Sequence, residues 1–224
     1  MLAVAIIGGS YLIGSIPVAY AAGRLARGID IREYGSGNAG ASNIWQSVSK
    51  TLVVPVGLAQ IAQGCIGPGA AWLLDEGQGV QVAAAVAAVL ANDWNPWLGF
   101  GGGRGVGTTI GALIVLSPAA LVSFIVIAVA GVGVRAIPQG VALGLLATPF
   151  AALVAGQSPA IVLGCALLAA IAFTKRLLAN GTPAQDEDRL GVYVNRLLYD
   201  RDIRDREAWV RRELESGPQR SRGA

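Results

Sequence analysis

Val106-Gly-Thr-Thr-Ile-Gly-Ala-Leu-Ile-Val-Leu-Ser-Pro-Ala-Ala-Leu-Val-Ser-Phe-Ile-Val-Ile-Ala-Val-Ala-Gly-Val-Gly-Val-Arg135 carries no charge before its last residue. It is either one long helix or two short passes around Ser117-Pro118. Proline disfavours helical geometry in the residue before it, which favours a break at Ser117. The basic residues give an independent vote, because cytoplasmic loops of membrane proteins collect Lys and Arg. With two passes here and the N-terminus outside, Arg24, Arg27, Arg32 and Lys50 fall inside and Asp75 and Glu76 outside. Arg104, Arg135 and the whole tail from Lys175 onward then fall inside, so that all 17 Lys and Arg residues are cytoplasmic. A single pass would export Arg135 and the basic residues of the tail. The two-pass reading predicts an all-α polytopic membrane protein with about seven transmembrane helices, N-terminus outside and C-terminus cytoplasmic.

Composition agrees. The chain has 224 residues, 54% of them hydrophobic and 14% charged, whereas a soluble domain carries about 25% charged residues. The apolar segments are about 2–23, 51–74, 79–92, 106–116, 118–134, 136–155 and 158–174. Charge-free runs such as Met1–Gly23, Thr51–Leu74 and Ala136–Thr174 reach the roughly 20 residues that span hydrocarbon. A soluble α/β core would break such runs with polar surface every turn or two. No Lys or Arg precedes Arg24, so the first segment lacks the basic start of a signal peptide and reads as a retained helix. Segments 79–92 and 106–116 are short for full spans and are expected to be tilted, or to end inside protein.

Cys65 and Cys165 each sit within an apolar segment and read as packing residues. The chain has no histidine, which removes the usual general base, the commonest metal ligand and any Ser-His-Asp triad; no metal or cofactor is expected. A net charge of +3 gives no ground for a nucleic-acid partner. Two regions follow: a transmembrane domain over 1–174 and a cytoplasmic charged tail over 175–224. The tail holds 11 basic and 9 acidic residues among Leu190, Val192, Val194, Leu197, Leu198, Ile203, Trp209, Val210 and Leu214. It reads as one or two amphipathic helices against the cytoplasmic face, a solvated cap in preference to a membrane or partner clamp.

Two loops on the predicted cytoplasmic side are unusual. The first is Asp30-Ile-Arg-Glu-Tyr-Gly-Ser-Gly-Asn-Ala-Gly-Ala-Ser-Asn43. Its small residues allow tight turns and close backbone approach to a ligand. Ser36, Asn38, Ser42 and Asn43 add neutral donors, Arg32 adds charge, and successive amides can form an anion-binding concavity. The second, Asn92-Asp-Trp-Asn-Pro-Trp-Leu-Gly-Phe-Gly-Gly-Gly-Arg-Gly-Val-Gly-Thr-Thr109, runs straight into an apolar helix. Glycines at a helix N-terminus make a phosphate site, and Arg104 can grip phosphate oxygens bidentately. The Lys-[Ser/Thr] pair of a Walker loop is absent. Glycines also serve close helix packing in membranes. Two such loops on one side, each with a basic residue, favour an anion site.

Gly14-Ser-Ile-Pro-Val-Ala-Tyr20, Asp30-Ile-Arg32 and Gly35-Ser-Gly-Asn-Ala-Gly-Ala-Ser-Asn43 resemble the start of the bacterial acyl-phosphate:glycerol-3-phosphate acyltransferases. Trp97-Leu-Gly-Phe-Gly-Gly-Gly-Arg-Gly-Val-Gly-Thr108 resembles their second motif, and Lys175-Arg-Leu-Leu-Ala-Asn-Gly-Thr182 part of their third. The resemblance implies a seven-helix plasma-membrane enzyme with all three motifs facing the cytoplasm. It implies transfer of a fatty acyl group from acyl phosphate to the 1-hydroxyl of glycerol 3-phosphate, giving lysophosphatidic acid, amid membrane lipids. On this expectation Arg104, Ser36 and Asn38 are catalytic. Arg32, Gly35, Gly37, Ser42, Asn43, Gly102, Gly103, Gly105, Thr108, Lys175 and Arg176 bind substrate, the last two closing the site. The reaction needs two anions positioned and an oxyanion stabilised, with no protein nucleophile, and the substrate's own phosphate can accept the proton.

The chain departs from that family's pattern. Gln46 stands where an Arg is expected, Gln60 and Gln63 where charged residues are expected, and Asn92 in place of a His. Gly101 and Arg104 replace two Lys residues, and Phe173 and Pro183 an Asn and a Glu. A non-catalytic relative that binds a phosphorylated lipid or a partner enzyme is one rival reading. A small anion transporter is another, although no charge sits within a predicted span.

Overall fold

The computed structural model describes residues 1–178, 180–181, 183, 188–205 and 208–209. Among these the chain forms ten α-helices and no strand. They are α1 (Leu2–Gly14), α2 (Val18–Arg27), α3 (Ala41–Ser47), α4 (Val53–Leu73), α5 (Gln78–Asp93), α6 (Val106–Leu116), α7 (Pro118–Gly133), α8 (Ile137–Val154), α9 (Pro159–Leu178) and α10 (Arg189–Tyr199). The stretch from Val106 to Arg135 is two helices. Ser117 is extended, its hydroxyl accepts from the Ala120 amide at 3.3 Å, and Pro118 takes the first turn of α7, where its missing N–H removes no helical bond.

Helix α5 is the axis of the bundle and touches α1, α4, α6 and α9. Its alanines 84, 85, 87, 88 and 91 are buried together with Val82 and Val89. The segment that is short for a span is thus the most enclosed one, because small side chains let four helices close around it. Large apolar side chains point outward instead: Val122, Val126, Val129, Leu143 and Phe150 are exposed. In water such a surface would aggregate; in a bilayer it is the lipid face. Ile137–Val154, Pro159–Leu178 and the α1–α2 pair, Leu2–Arg27, are long and apolar enough to cross a membrane, and α6 and α7 are shorter apolar helices.

Buried polar side chains knit the helices. Ser10 Oγ donates to Ala84 O at 2.7 Å. Gln63 Nε2 donates to the carbonyls of Ile13 and Ile16 at 2.7 and 2.9 Å. The connectors sort to two ends. At one, Ser158 Oγ meets Gln78 Oε1. At the other, Arg27 reaches Ser47 O, Arg32 reaches Leu98 O, Arg104 reaches Lys175 O and Arg176 reaches Pro138 O. The connectors that hold the basic residues therefore meet at one end of the bundle.

One expectation needs correction. The apolar run 2–23 is not one helix: it ends at Gly14 and restarts at Val18, with Pro17 at the junction. Gly14 lies so close to α5 that a Cβ there would fall 2.4 Å from Ala88 O. The described part of the tail packs on the bundle. Helix α10 packs on α8 and α9, and Arg196, only 1% exposed, donates to Asp202 at 2.7 and 3.2 Å and to the carbonyls of Leu177 and Gly181 at 2.7 and 2.8 Å. Val210 and Leu214 lie outside the described residues.

Candidate active site

The first loop leaves α2 at Gly28 and is organised by two side chains. Asp30 Oδ1 accepts from the Arg32 amide at 3.0 Å, and the Arg32 guanidinium returns to both Asp30 oxygens at 3.0 and 2.7 Å. Burial by itself raises the Asp30 carboxyl, but these hydrogen bonds and the Arg32 charge hold it below the usual carboxylate range. Arg32 also donates to Leu98 O at 2.9 Å, which fastens the first loop to the second.

Asn43, with 0% exposure, is the second organiser. Its Nδ2 lies within hydrogen-bonding distance of the carbonyls of Ile31, Tyr34 and Asn38, at 2.6, 2.9 and 2.9 Å. Its Oδ1 accepts from the Ser36 amide at 3.3 Å and Ser47 Oγ at 2.9 Å. Gly35, at φ +61, passes so near that a Cβ would stand 2.3 Å from Oδ1. Asn43 therefore shapes the loop and has no polar atom to spare for substrate. Asn43→Asp is expected to be worse than Asn43→Ala, since a carboxylate would confront three carbonyls. Each stranded buried polar group costs about 1–3 kcal/mol, so melting in detergent should fall for both variants and further for Asp. Around this hub, Ser36 Oγ and Asn38 Oδ1 are buried and have no hydrogen-bond partner among the described residues. Ser42 is exposed.

The second loop lies flat over the last turn of α5. Asn95 Nδ2 donates to Ser15 O at 2.6 Å and Trp97 Nε1 to Ser15 Oγ at 3.0 Å, anchoring it to the α1–α2 junction. The Gly103 amide donates to Asn92 O at 3.0 Å. A Cβ on Gly102 would fall 2.1 Å from that carbonyl, and one on Gly103 2.7 Å from Asn92 Oδ1 and 3.5 Å from Ala39 O of the first loop. The glycine run thus brings the two loops into contact. Gly105, at φ +64, starts α6, and no side chain caps that helix. The amides of its first turn have no intrahelical partners. Thr108 Oγ1 and Thr109 Oγ1 are buried there without partners among the described residues.

Arg104, its side chain 12% exposed, closes the arrangement. It donates to Lys175 O at 3.3 Å and Asn180 Oδ1 at 3.2 Å, and its Nε lies 3.2 Å from Asp200 Oδ1. Lys175 Nζ donates to the backbone carbonyl of Asp93 and lies 5.1 Å over the Trp94 ring. Arg176 does not join them. It donates to Pro138 O and Leu197 O, at 3.1–3.2 and 2.9 Å, tying α8 and α10 to α9. Neighbours on a helix point about 100° apart, and here Lys175 and Arg176 engage different partners. Of the third motif, Ala179 and Thr182 lie outside the described residues.

Three participants were not among the expected site residues. Asp93, 0% exposed, has both carboxylate oxygens without a hydrogen-bond partner among the described residues. They lie 2.7 and 2.9 Å from where a Gly105 Cβ would stand. As an acid ending an apolar run beside the glycine loop it could have been suspected. Asn180, a partner of Arg104, stood within the stretch resembling the third motif without a role assigned to it, and Asp200, the other, had no comparable signal.

A sequence model described as glycerol-3-phosphate acyltransferase matches residues 4–180. The chain belongs to the glycerol-3-phosphate acyltransferase family. Two relatives from strains of Dehalococcoides mccartyi, named glycerol-3-phosphate acyltransferase 5 and 4, are 32% and 33% identical over 212 residues, 90% of this chain and 90% of each relative. The family's fold is also recovered in solved structures. The crystal structure of PlsY (YgiH), an integral membrane glycerol 3-phosphate acyltransferase, matches in its glycerol 3-phosphate form with a TM-score of 0.75 and 24% identity, over 92% of this chain and 96% of that one. Its lysophosphatidic acid form matches with 0.74 and 23%, over 94% and 98%. Within this acyltransferase family frame, Gln60 and Gln63 are buried. The two Gln63 bonds hold α4 to the α1–α2 junction beneath the loops.

Proposed function

We propose that the chain is a membrane glycerol-3-phosphate acyltransferase of phospholipid synthesis, which moves a fatty acyl group from acyl phosphate to the 1-hydroxyl of glycerol 3-phosphate. The loops face the cytoplasm of a bacterial plasma membrane. On this reading residues 1–174 are the transmembrane catalytic domain, and the tail, 175–224, completes the site through Lys175 and its later residues. One observation carries the assignment beyond family membership. Ser36 and Asn38 of one loop and Thr108 of the other hold buried, unpartnered polar atoms; Arg32 bonds one loop to the other at Leu98, Gly103 passes beside Ala39, and Arg104 of the second loop bonds the Lys175 carbonyl.

Phosphate oxygens suit that set. Arg104 supplies a planar cationic fork, and the first-turn amides of α6 and the Ser36 and Thr108 hydroxyls supply neutral donors. Held so, the glycerol oxygen attacks the acyl carbonyl carbon and the bond to phosphate breaks. The hydroxyl proton leaves with the departing phosphate. No histidine or protein nucleophile is required. The purified protein, given glycerol 3-phosphate and palmitoyl phosphate, should release lysophosphatidic acid. No product from folded protein, with other acyl donors also tried, would leave a binding relative.

An apolar groove of about 390 Å³ beside the first loop, between α2 and α4, is lined by Val18, Ala22, Leu25, Leu52, Pro55 and Val56. It suits an acyl chain. Ala22→Trp should lower transfer from palmitoyl phosphate several-fold more than from octanoyl phosphate. Equal effects on both donors would move the chain elsewhere.

A further inference from the structure

The family match ends at residue 180, yet the chain runs on into α10 and returns to the site. We infer that Asp200, beyond that limit, is a positioning residue that fixes the Arg104 guanidinium for a phosphate-bearing substrate. The inference rests on the proposed role of Arg104.

The first support is the way Arg104 is held. Each of its three nitrogens has one protein partner: Asp200 for Nε, Lys175 O for Nη1 and Asn180 Oδ1 for Nη2. A guanidinium carries five N–H groups. Among the described residues, one N–H on each of Nη1 and Nη2 is left over for phosphate oxygens. Asp200 is the only anion among these three partners, and it sits at ion-pair distance without hydrogen-bond alignment. Its restraint on Arg104 is therefore electrostatic. Arg104 reaches the carbonyl of Lys175, itself a cation. Asp93 is a second acid within electrostatic reach of Arg104 and Lys175, but Asp200 is the acid at ion-pair distance from the guanidinium, and without it only two neutral acceptors would contact Arg104 directly.

The second support is the rigidity of Asp200 itself. It caps α10 in the left-handed region, φ +57 and ψ 32, and its amide donates to Arg196 O at 3.0 Å. Only Gly, Asn and Asp visit that region readily, and such a conformation persists where surroundings over-determine it. The surroundings do so here. Arg196 grips Asp202 and the carbonyls of Leu177 and Gly181, and Asn180 Nδ2 donates to Asp202 Oδ1 at 2.8 Å. Asn180 thus takes part in the tail network and also holds Arg104.

Asp200→Asn keeps shape and backbone tolerance and removes the charge; Asp200→Gly does the same with no side chain, should the Asn variant fold poorly. In steady-state transfer by the full chain, both should raise the KM of one phosphate substrate, glycerol 3-phosphate or palmitoyl phosphate, and lower kcat/KM on the order of 10- to 100-fold. Titrating each substrate separately identifies which phosphate Arg104 meets. Melting should change little, Asp200→Glu should recover part of the loss, and Asp200→Asn should add nothing to Arg104→Lys. Unchanged or lowered KM values in Asp200→Asn, or effects additive with Arg104→Lys, would overturn the inference. If Arg104→Ala abolishes transfer while Asp200→Asn is wild type, the inference alone fails. If Arg104→Ala is itself active, the reading of Arg104 fails with it.

Discussion

Arg104→Ala is expected to lower acyl transfer by about 10²- to 10³-fold, the range reached when one preorganised donor is removed from a charge-stabilising site, while the protein stays folded in detergent. The side chain is mostly enclosed, and its partners, Lys175 O near the end of α9, Asn180 and Asp200, lie at the loop end of the bundle. Losing enclosed contacts of this kind costs about 1–3 kcal/mol, too little by itself to unfold the bundle. The loss should therefore appear chiefly in kcat/KM, with only a modest fall in melting. Arg104→Lys keeps the charge but discards the planar fork, and one ammonium cannot serve three partners and two phosphate oxygens together. Its activity should fall between wild type and Arg104→Ala. Full activity in both variants would remove Arg104 from the site.

The helices were legible where lipid alone sets the rule. The segments 51–74, 118–134 and 136–155 became Val53–Leu73, Pro118–Gly133 and Ile137–Val154, because a span must be continuously apolar and its ends are marked by charge or proline. Hydropathy averages over a window and so passed over the break before Pro17, which interrupts an apolar run without making it polar. Length alone made α5 look marginal, since its apolar run is short for a span, yet the small size of its alanines is what puts that helix at the centre.

In the site, the glycines and small polar residues were visible as a pattern, but their division of labour was not. Asn43 and Ser36 are alike in sequence terms. Only the fold shows that one is spent on three carbonyls while the other's hydroxyl is left open. Lys175 and Arg176 are adjacent letters pointing to different neighbours. Asp200 meets Arg104 across 96 positions, a pairing that no local period or spacing encodes.

Gly111→Ala carries the largest expected effect on stability. Helices α4 and α6 cross at Gly64 and Gly111 with backbones in contact. A Cβ on Gly111 would fall 1.9 Å from Ile61 O and 3.0 Å from the Cys65 amide nitrogen, and one on Gly64 would fall 1.9 Å from Thr108 O. Cys65 Sγ donates to Gly111 O at 3.2 Å across the same crossing. None of these obstacles is a movable side-chain tip, so one methyl must push the two helices apart. Overpacking of this kind costs about 1–3 kcal/mol, and a backbone-to-backbone clash belongs at the upper end. The shift also reaches the chemistry, since Gly111 lies one turn beyond Thr108 and α6 starts beside Arg104; displacement of about 1 Å can cost on the order of 10²-fold in rate. Gly69→Ala is the matched control on α4: nothing lies within 4 Å of its added Cβ, and alanine is the better helix former by about 0.5–1 kcal/mol. Thermal melting in detergent should place Gly111→Ala and Gly64→Ala well below wild type and Gly69→Ala at or above it. If all three melt alike, close contact at this crossing does not hold the glycine-rich loop in place.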